Sequence, residues 1–327
     1  MRLARWWRAD GGAAEGLVVD DRVVAFADGL TVLDVVRGGL PEALRGGDSL
    51  AAGPGEPLGG VRLRTPLDPP SVRDFVAFEE HVEGVVRSVD SSQGVVPEWY
   101  EAPTFYFTNP HTLLATGEEL VPPATERLDF ELEVAAVIGG GGPERSLESA
   151  QAHERIFGYA VFNDWSARDL QAREMKVRLG PCKGKDFGST LGPWITTADE
   201  VADRHDSEGF LDLAMTVSVN GVEIGRDTLA DMGWPFAELV AYASRDSRIV
   251  AGDVLGSGTA GTGCLAELWG RAGSLTPPPL RQGDEVTMTV ERLGSITTVV
   301  GASQPVPELV RARRRPGSPT ARARAAD

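Results

Sequence analysis

The 327-residue chain predicts a mainly β fold with some α, in the α+β class. Three observations carry that expectation. Short strand-like apolar runs recur along the chain, whereas helical periodicity is confined to a few stretches. Thirty-nine glycines and 22 prolines supply many turns and irregular connections. There is no regular βαβ alternation and no internal repeat, so neither a doubly wound sheet nor a propeller fits.

Taken in order, residues 1–60 read as a small N-terminal β-rich domain. GLVVDDRVVAF places two β-branched runs about an Asp-Asp turn, the pattern of a hairpin. TVLDVVRGGLPEALR reads as a short helix and its continuation, interrupted by Gly-Gly and Pro. AAGPGEPLGG is a linker in composition. A second domain spans 61–303. Its first segment leads from a strand through prolines into a helix carrying His81. Strand patterns follow in TFYFTN, FELEVAAVI, YAVFND, LAMTVSVNGVEI, DVLGSGT, EVTMTVERLG and ITTVVG, with Asn-Gly as a hairpin signal. SLESAQAHERI and PFAELVAYASR are the intervening helices. Residues 304–327 contain VRARRRPGSPTARARAAD, with six arginines, one aspartate and no apolar period. Disorder is the expectation there, with polyanion binding as the alternative.

Composition narrows the function classes. Hydrophobic content of 42% and charged content of 24% are those of a soluble globular protein. A net charge of −16 speaks against nucleic-acid binding by the body of the chain. MRLARWWRAD lacks the apolar core of a signal peptide, and no run of about 18 apolar residues offers a membrane span. Two cysteines, Cys182 and Cys264, cannot staple a chain this long, so reduced thiols and a cytoplasmic location are expected.

One stretch stands apart. In LDFELEVAAVIG, residues 128–139, Phe130, Leu132 and Val134 alternate with Asp129, Glu131 and Glu133. At the rise of a strand, Glu131 and Glu133 lie roughly 6–7 Å apart on one face. A solvated face is one reading of those acids. The other follows from VAAVIG, which is apolar on both faces and reads as buried. Two carboxylates at the edge of a buried region need a cation to offset repulsion and lost hydration, and a hard divalent metal bound through oxygens supplies it. Other segments add chemistry: RDFVAFEEHVE with Asp74 and His81, FNDWSARDLQ with Asp164, Arg168, Asp169 and Gln171, LGPCKGKDFGSTLGPW with Lys183 and Lys185, and GSGTAGTGCLAELW with Glu267.

In this order, LDFELEVAAVIG, NDWSARDLQ and GPCKGKDFGSTLGPW resemble the fumarylacetoacetate hydrolase family over roughly residues 61–303. The resemblance implies a mixed β-sandwich roll behind a small variable N-terminal β domain, and a homodimer. It also implies a Mg²⁺, Mn²⁺ or Ca²⁺ site whose ligands match Asp74, Glu131, Glu133 and Asp164; Asp129, on the same strand face, is the runner-up ligand and otherwise a supporting or turn residue. An all-oxygen set with no Cys/His cluster agrees with a hard cation rather than zinc. His81 matches the water-activating base, and Glu267 the carboxylate that orients it. A second branch of the family places that glutamate three residues after the histidine, where this chain has Gly84. Lys185 matches the lysine that stabilises negative charge on the substrate oxygen, and Lys183 reads as structural. Tyr100, Arg168, Gln171 and Thr259 are the substrate-contacting candidates. Both cysteines read as small packing residues.

Departures fall at positions that read the substrate. A tyrosine of the name-giving hydrolases two residues after Asp74 is Val76, an arginine nine after His81 is Asp90 with Arg87 as the nearby substitute, and a tyrosine four after Gln171 is Met175. The resemblance therefore implies family-type chemistry on a substrate other than fumarylacetoacetate. The first reading is a metal-dependent hydrolase that cleaves a C–C bond in a 1,3-dicarbonyl or acylpyruvate-like acid. The alternative is a decarboxylase, an isomerase, or a lyase or cyclase acting through a metal enolate on a 2-oxo acid or polyketide-like substrate. An inactive binding homologue is the third.

Overall fold

The computed structural model describes residues 1–27, 29–51, 53–90 and 94–313. The Arg-rich tail from 314 onward lies outside the described residues, as do the side chains of Arg87 and Asp90. Two sheets dominate. In the larger, twelve-stranded one, the path runs Gly55–Pro57, Arg22–Ala25, Ala13–Val19, Arg2–Trp7, Ser189–Thr197, Ile156–Asp164, Leu132–Ile138, Val254–Gly256, Val72–Phe75 and Phe105–Thr108. The strand Arg2–Trp7 pairs antiparallel with Ser189–Thr197, so the N-terminal segment continues the same sheet. The smaller sheet runs Val222–Thr228, Ala214–Val219, Glu285–Val290, Gly294–Val300 and Glu119–Leu120. Its Val219–Val222 connection is the Asn220-Gly221 hairpin, with both central residues at positive φ as a type I′ turn demands.

The strand Leu132–Ile138 is buried along its whole length because both its faces are covered. Leu132, Val134, Ala136 and Ile138 enter a core shared with Met215, Val217, Val286, Met288 and Ile296 of the smaller sheet. Ala135 and Val137 point the other way, into a core with Val32, Val35, Val36 and Ala43 of the helices Val32–Gly38 and Leu40–Leu50. Two sheets packed on one core, with helices on the outer face, give the α+β roll that the sequence predicts. The helices Glu79–Asp90, Ser149–Glu154 and Phe236–Ser244 fall where the sequence places them. Two further short helices, Arg168–Met175 and Leu265–Ala272, occur in the stretches rich in functional groups. Residues 302–313 are exposed and have no regular structure. No helix among the described residues is long and apolar enough to cross a membrane.

The sheet order brings one set of strand ends together. Leu132–Ile138 starts where its antiparallel neighbour Ile156–Asp164 ends, with Leu132 opposite Asn163. On its other side Ala135 faces Gly256, and Gly256 in turn sits beside Asp74 on the next strand. The four acids of three separate segments thus converge at one end of the large sheet.

Candidate active site

Asp74, Glu131 and Glu133 are all buried, and their carboxylate oxygens lie within 4.8 Å of one another. Gly256 makes this possible, since a Cβ there would stand against Asp74 Oδ1 and only 3.1 Å from Glu133 Oε2. Burial, and then the charge of Asp164, raises the Asp74 carboxyl well above the ordinary carboxylate range. Burial and then Asp74 do the same to Glu133. Among the described residues, Asp74 Oδ1 and Glu133 Oε2 have no hydrogen-bond partner. Buried acceptors are almost always satisfied, so two such oxygens a few ångströms apart form a group that could hold a cation. The donors are all oxygen, which suits Mg²⁺, Mn²⁺ or Ca²⁺.

Asp164, fully buried, joins this cluster through Lys185, whose Nζ stands 2.8 Å from Asp164 Oδ2 and also binds Glu131 Oε2. Ser189 Oγ donates to Asp164 Oδ1 at 3.1 Å, and the hydroxyl of Tyr106 donates to Oδ2. Burial would raise the Glu131 carboxyl, but the Lys185 ammonium and the Arg168 guanidinium outweigh it and pull Glu131 down to about 2. Lys185 loses stability as a cation through burial, yet Asp164 and Glu131 more than restore it, so the ammonium stays charged. Arg168 reaches Glu131 Oε1 at 2.8 Å and Asp129 Oδ2 at 2.8 Å.

Asp129 is not in the cluster. Its fully buried carboxylate accepts from the backbone N–H groups of Phe130, Leu265 and Ala266 at 2.8–3.0 Å and from Arg168 Nε at 2.8 Å. It therefore caps the N-terminus of helix Leu265–Ala272, whose own N-cap, Cys264, makes no side-chain capping bond.

That helix carries Glu267. Its Oε1 lies 2.8 Å from His81 Nδ1, and its Oε2 accepts from the Thr262 N–H at 2.9 Å with Arg271 Nη2 at 3.5 Å. Glu267 is fully buried and His81 nearly so. Gly84 is part of this arrangement: a Cβ there would come within 2.9 Å of Glu267 Cγ. Any side chain at position 84 would collide with Glu267. With Nδ1 tied to a carboxylate, Nε2 is the nitrogen left to take a proton.

Several of these groups face a cavity of about 370 Å³, with Asp164 and Glu267 behind its wall. Its lining includes Asp74, Glu131, Glu133, His81, Lys185, Arg168, Gln171 and Thr259. Thr259 Oγ1 lies 3.3 Å from Glu133 Oε1, and Gln171 Oε1 accepts from Arg168 Nη1 at 3.1 Å. Val76 and Met175, two of the departures, line it as well. Tyr100 does not: it is more than half exposed, and its hydroxyl binds Glu79 on the surface. Tyr106 stands in the cavity instead, paired in register with Asp74 on the neighbouring strand. Its signal in the sequence was a phenol between Phe105 and Phe107 in TFYFTN, which reads as one more strand aromatic. Burial and then the charge of Asp164 hold its hydroxyl protonated. Lys183 is on the surface, paired with Asp186 at 2.6 Å. Cys264 is buried as expected, whereas Cys182 is exposed, at the outer side of a loop whose backbone N–H groups Glu174 collects and whose inner side carries the buried Lys185.

A cavity that joins buried carboxylates, two of them with an unpartnered oxygen, to a histidine backed by a carboxylate and to a charged lysine has the make-up of an enzyme's active site. Residues 71–301 match the fumarylacetoacetate (FAA) hydrolase C-terminal family, and the chain belongs to that family. It is 28% identical over 317 residues to the fumarylacetoacetase of Arabidopsis thaliana, covering 81% of this chain and 75% of that one. It is 26% identical over 310 residues to the oxaloacetate tautomerase YisK of Bacillus subtilis, covering 88% and 95%. Among solved structures, the maleylpyruvate hydrolase of Sphingobium sp. SYK-6, in complex with manganese(II) and pyruvate, superposes with a TM-score of 0.68 at 24% identity, over 93% of this chain and all of that one. That likeness establishes the shared fold.

Proposed function

We propose that the protein is a divalent-metal-dependent hydrolase that cleaves a C–C bond in a 1,3-dicarbonyl or acylpyruvate-like acid. The observation that carries this reading is the His81–Glu267 pair at 2.8 Å, opening on the same cavity as the orphaned carboxylates. Asp74, Glu131, Glu133 and Asp164 would hold the cation, Mg²⁺ first and Mn²⁺ or Ca²⁺ as alternatives. When bound, it supplies Lewis-acid polarisation of a carbonyl and neutralises charge on the substrate. His81 Nε2 removes a proton from water while Glu267 stabilises the imidazolium. The water oxygen bonds to the carbonyl carbon, the C–C bond breaks, and its electron pair leaves as an enolate. His81 then returns the proton to the enolate carbon. Lys185 faces the developing negative charge. Arg168 and Gln171 fit the carboxylate end of the substrate, and Val76 and Met175 make the pocket more apolar than in the name-giving hydrolases. A homodimer, a cytoplasmic location and the division into residues 1–60, 61–303 and 304–327 belong to the same proposal.

The tautomerase that aligns over 95% of its own length favours a second reading, keto–enol tautomerisation of a 2-oxo acid. His81 would then move a carbon-bound proton and no water would be consumed. Incubation of the full chain with Mg²⁺ or Mn²⁺, a panel of acylpyruvates and ¹⁸O-labelled water separates the two. Hydrolysis places one solvent oxygen in a product carboxylate and splits the carbon skeleton. An intact skeleton with exchanged carbon-bound hydrogen would overturn hydrolysis in favour of tautomerisation.

A further inference from the structure

Among the described residues a second group of metal-ligating side chains lies beside the carboxylate cluster: His81, Cys264 and Glu267, with ligand atoms all within 4.8 Å of one another. We propose that these three form an inhibitory site for a thiophilic divalent cation of the Zn²⁺ type, distinct from the all-oxygen site.

The geometry is close to what such an ion needs. Cys264 Sγ lies 3.8 Å from His81 Nδ1 and 3.7 Å from Glu267 Oε1, and Nδ1 and Oε1 are 2.8 Å apart. Tetrahedral zinc, from its usual bond lengths to S, N and O, separates its ligand atoms by roughly 3.4–3.6 Å. The two sulfur distances shorten slightly, and the His–Glu contact opens by about half an ångström. Glu267 can give up Oε1 because its Oε2 keeps the Thr262 N–H and Arg271. The ligand types decide which ion prefers which site: sulfur and imidazole favour zinc, whereas the neighbouring carboxylates favour Mg²⁺ or Mn²⁺. One thiolate and one carboxylate neutralise a divalent ion without any further buried countercharge.

The consequence for chemistry follows from the imidazole. In the free protein Nδ1 carries its proton toward Glu267 and Nε2 is the base. A cation on Nδ1 moves that proton to Nε2, and the Cys264 thiol releases its own to solvent. His81 then has no lone pair for a proton from water. This part of the inference rests on the reading of His81 as the base, but the binding does not.

The test uses the full chain with excess Mg²⁺, so that the oxygen site is occupied. Titration with Co²⁺ should give thiolate-to-cobalt charge-transfer absorption at one equivalent, bleached by Zn²⁺. Cys264→Ser and Cys264→Ala should both lose it, and Cys182→Ser should keep it. Absorption that survives both Cys264 substitutions, or that disappears with Cys182→Ser, would overturn the site. The parent titration needs no variant, so absence of the absorption there overturns it even if the variants fold poorly. In the turnover assay Zn²⁺ should inhibit the parent reversibly, with recovery on adding a chelator. Loss of an outer-sphere partner alone costs 10–100-fold in metal affinity, so Cys264→Ala should need at least about 100-fold more Zn²⁺. Equal Zn²⁺ sensitivity of parent and Cys264→Ala would overturn the inhibitory role while leaving the spectroscopic result to stand or fall alone.

Discussion

Glu267→Gln should disable the base without disturbing either the fold or the metal site. The native carboxylate accepts on both sides: His81 Nδ1–H at Oε1, and the Thr262 N–H with Arg271 at Oε2. A carboxamide has one acceptor end and one donor end. The Thr262 N–H and the Arg271 guanidinium can only donate, whereas the imidazole and the Cys264 thiol on the other side can also accept, so the oxygen stays with Thr262 and Arg271 and the NH₂ turns to the imidazole. Nδ1 must then accept, its proton moves to Nε2, and the nitrogen facing the cavity is no longer a base. The expected loss in kcat is the worth of a general base, about 10²–10⁴-fold, or about 2.7–5.4 kcal/mol of transition-state stabilisation. The substituted side chain has the same shape, so melting temperature should hold and Mn²⁺ affinity by calorimetry should match the parent. His81→Ala should lose a similar factor, and the double variant should be no worse than the single ones, because the pair acts as a unit. Steady-state kinetics on the substrate found by the acylpyruvate panel is the assay. A Glu267→Gln protein within about threefold of the parent kcat would refute the assignment of the pair.

Glu133→Gln should leave the fold intact and weaken Mn²⁺ binding, read by calorimetry; unchanged affinity would remove Glu133 from the cation site. Gly256→Ala should do the same by a different route, its methyl displacing Asp74 and Glu133, with loss of Mn²⁺ affinity as the readout. Because burial and neighbouring acids raise Asp74 and Glu133 in the metal-free fold, the folded state binds more protons there than the unfolded state, so these groups favour folding at low pH and that contribution is lost as pH rises above the ordinary carboxylate range. The rise in melting temperature on adding Mn²⁺ should therefore grow as pH rises above the ordinary carboxylate range, followed by differential scanning fluorimetry. Deleting residues from Val310 onward should change neither melting temperature nor turnover, since Val310 is exposed and outside any regular element; a drop in either would show that the arginines dock on the acidic body.

What could be read in the sequence, and what could not, divides along local against distant causes. The strand Leu132–Ile138 announces itself, because alternation and a doubly apolar run are local patterns. His81 on its helix and the acids of the cluster were equally legible. Ser189–Thr197 was not, since Gly192-Pro193 reads as a break. In the structure this strand lies between two partners, and its register with Ile156–Asp164 jumps from Tyr159↔Thr196 to Val161↔Gly192, so Pro193 falls in a bulge where no ladder N–H is needed. Helix Arg168–Met175 has no buried residue and so no apolar period to read. Helix Leu265–Ala272 lacks a local cap because Asp129, 136 residues earlier, supplies it. Tyr106 enters the cavity only because Phe105–Thr108 pairs with Val72–Phe75, a partnership no local pattern reveals.

The double burial of Leu132–Ile138 has a consequence for how the cavity moves. Amides paired on both edges and shielded on both faces exchange with solvent only when the whole molecule unfolds. Glu131 and Glu133 are thus mounted on, or one residue before, a strand whose amides should open only with the whole fold. The opposite wall is built differently: beyond Arg168, which is ion-paired to Asp129 and Glu131, no residue of helix Arg168–Met175 is fully buried, and the loop through Gly180 and Pro181 meets it through Glu174 and through Gly180 and Gly184. Deuterium labelling should find that wall opening long before the strand does. A substrate then meets one face that keeps its shape between turnovers and one that can yield, and it is the yielding face, with Met175 and Gln171, that a change of substrate would first remodel.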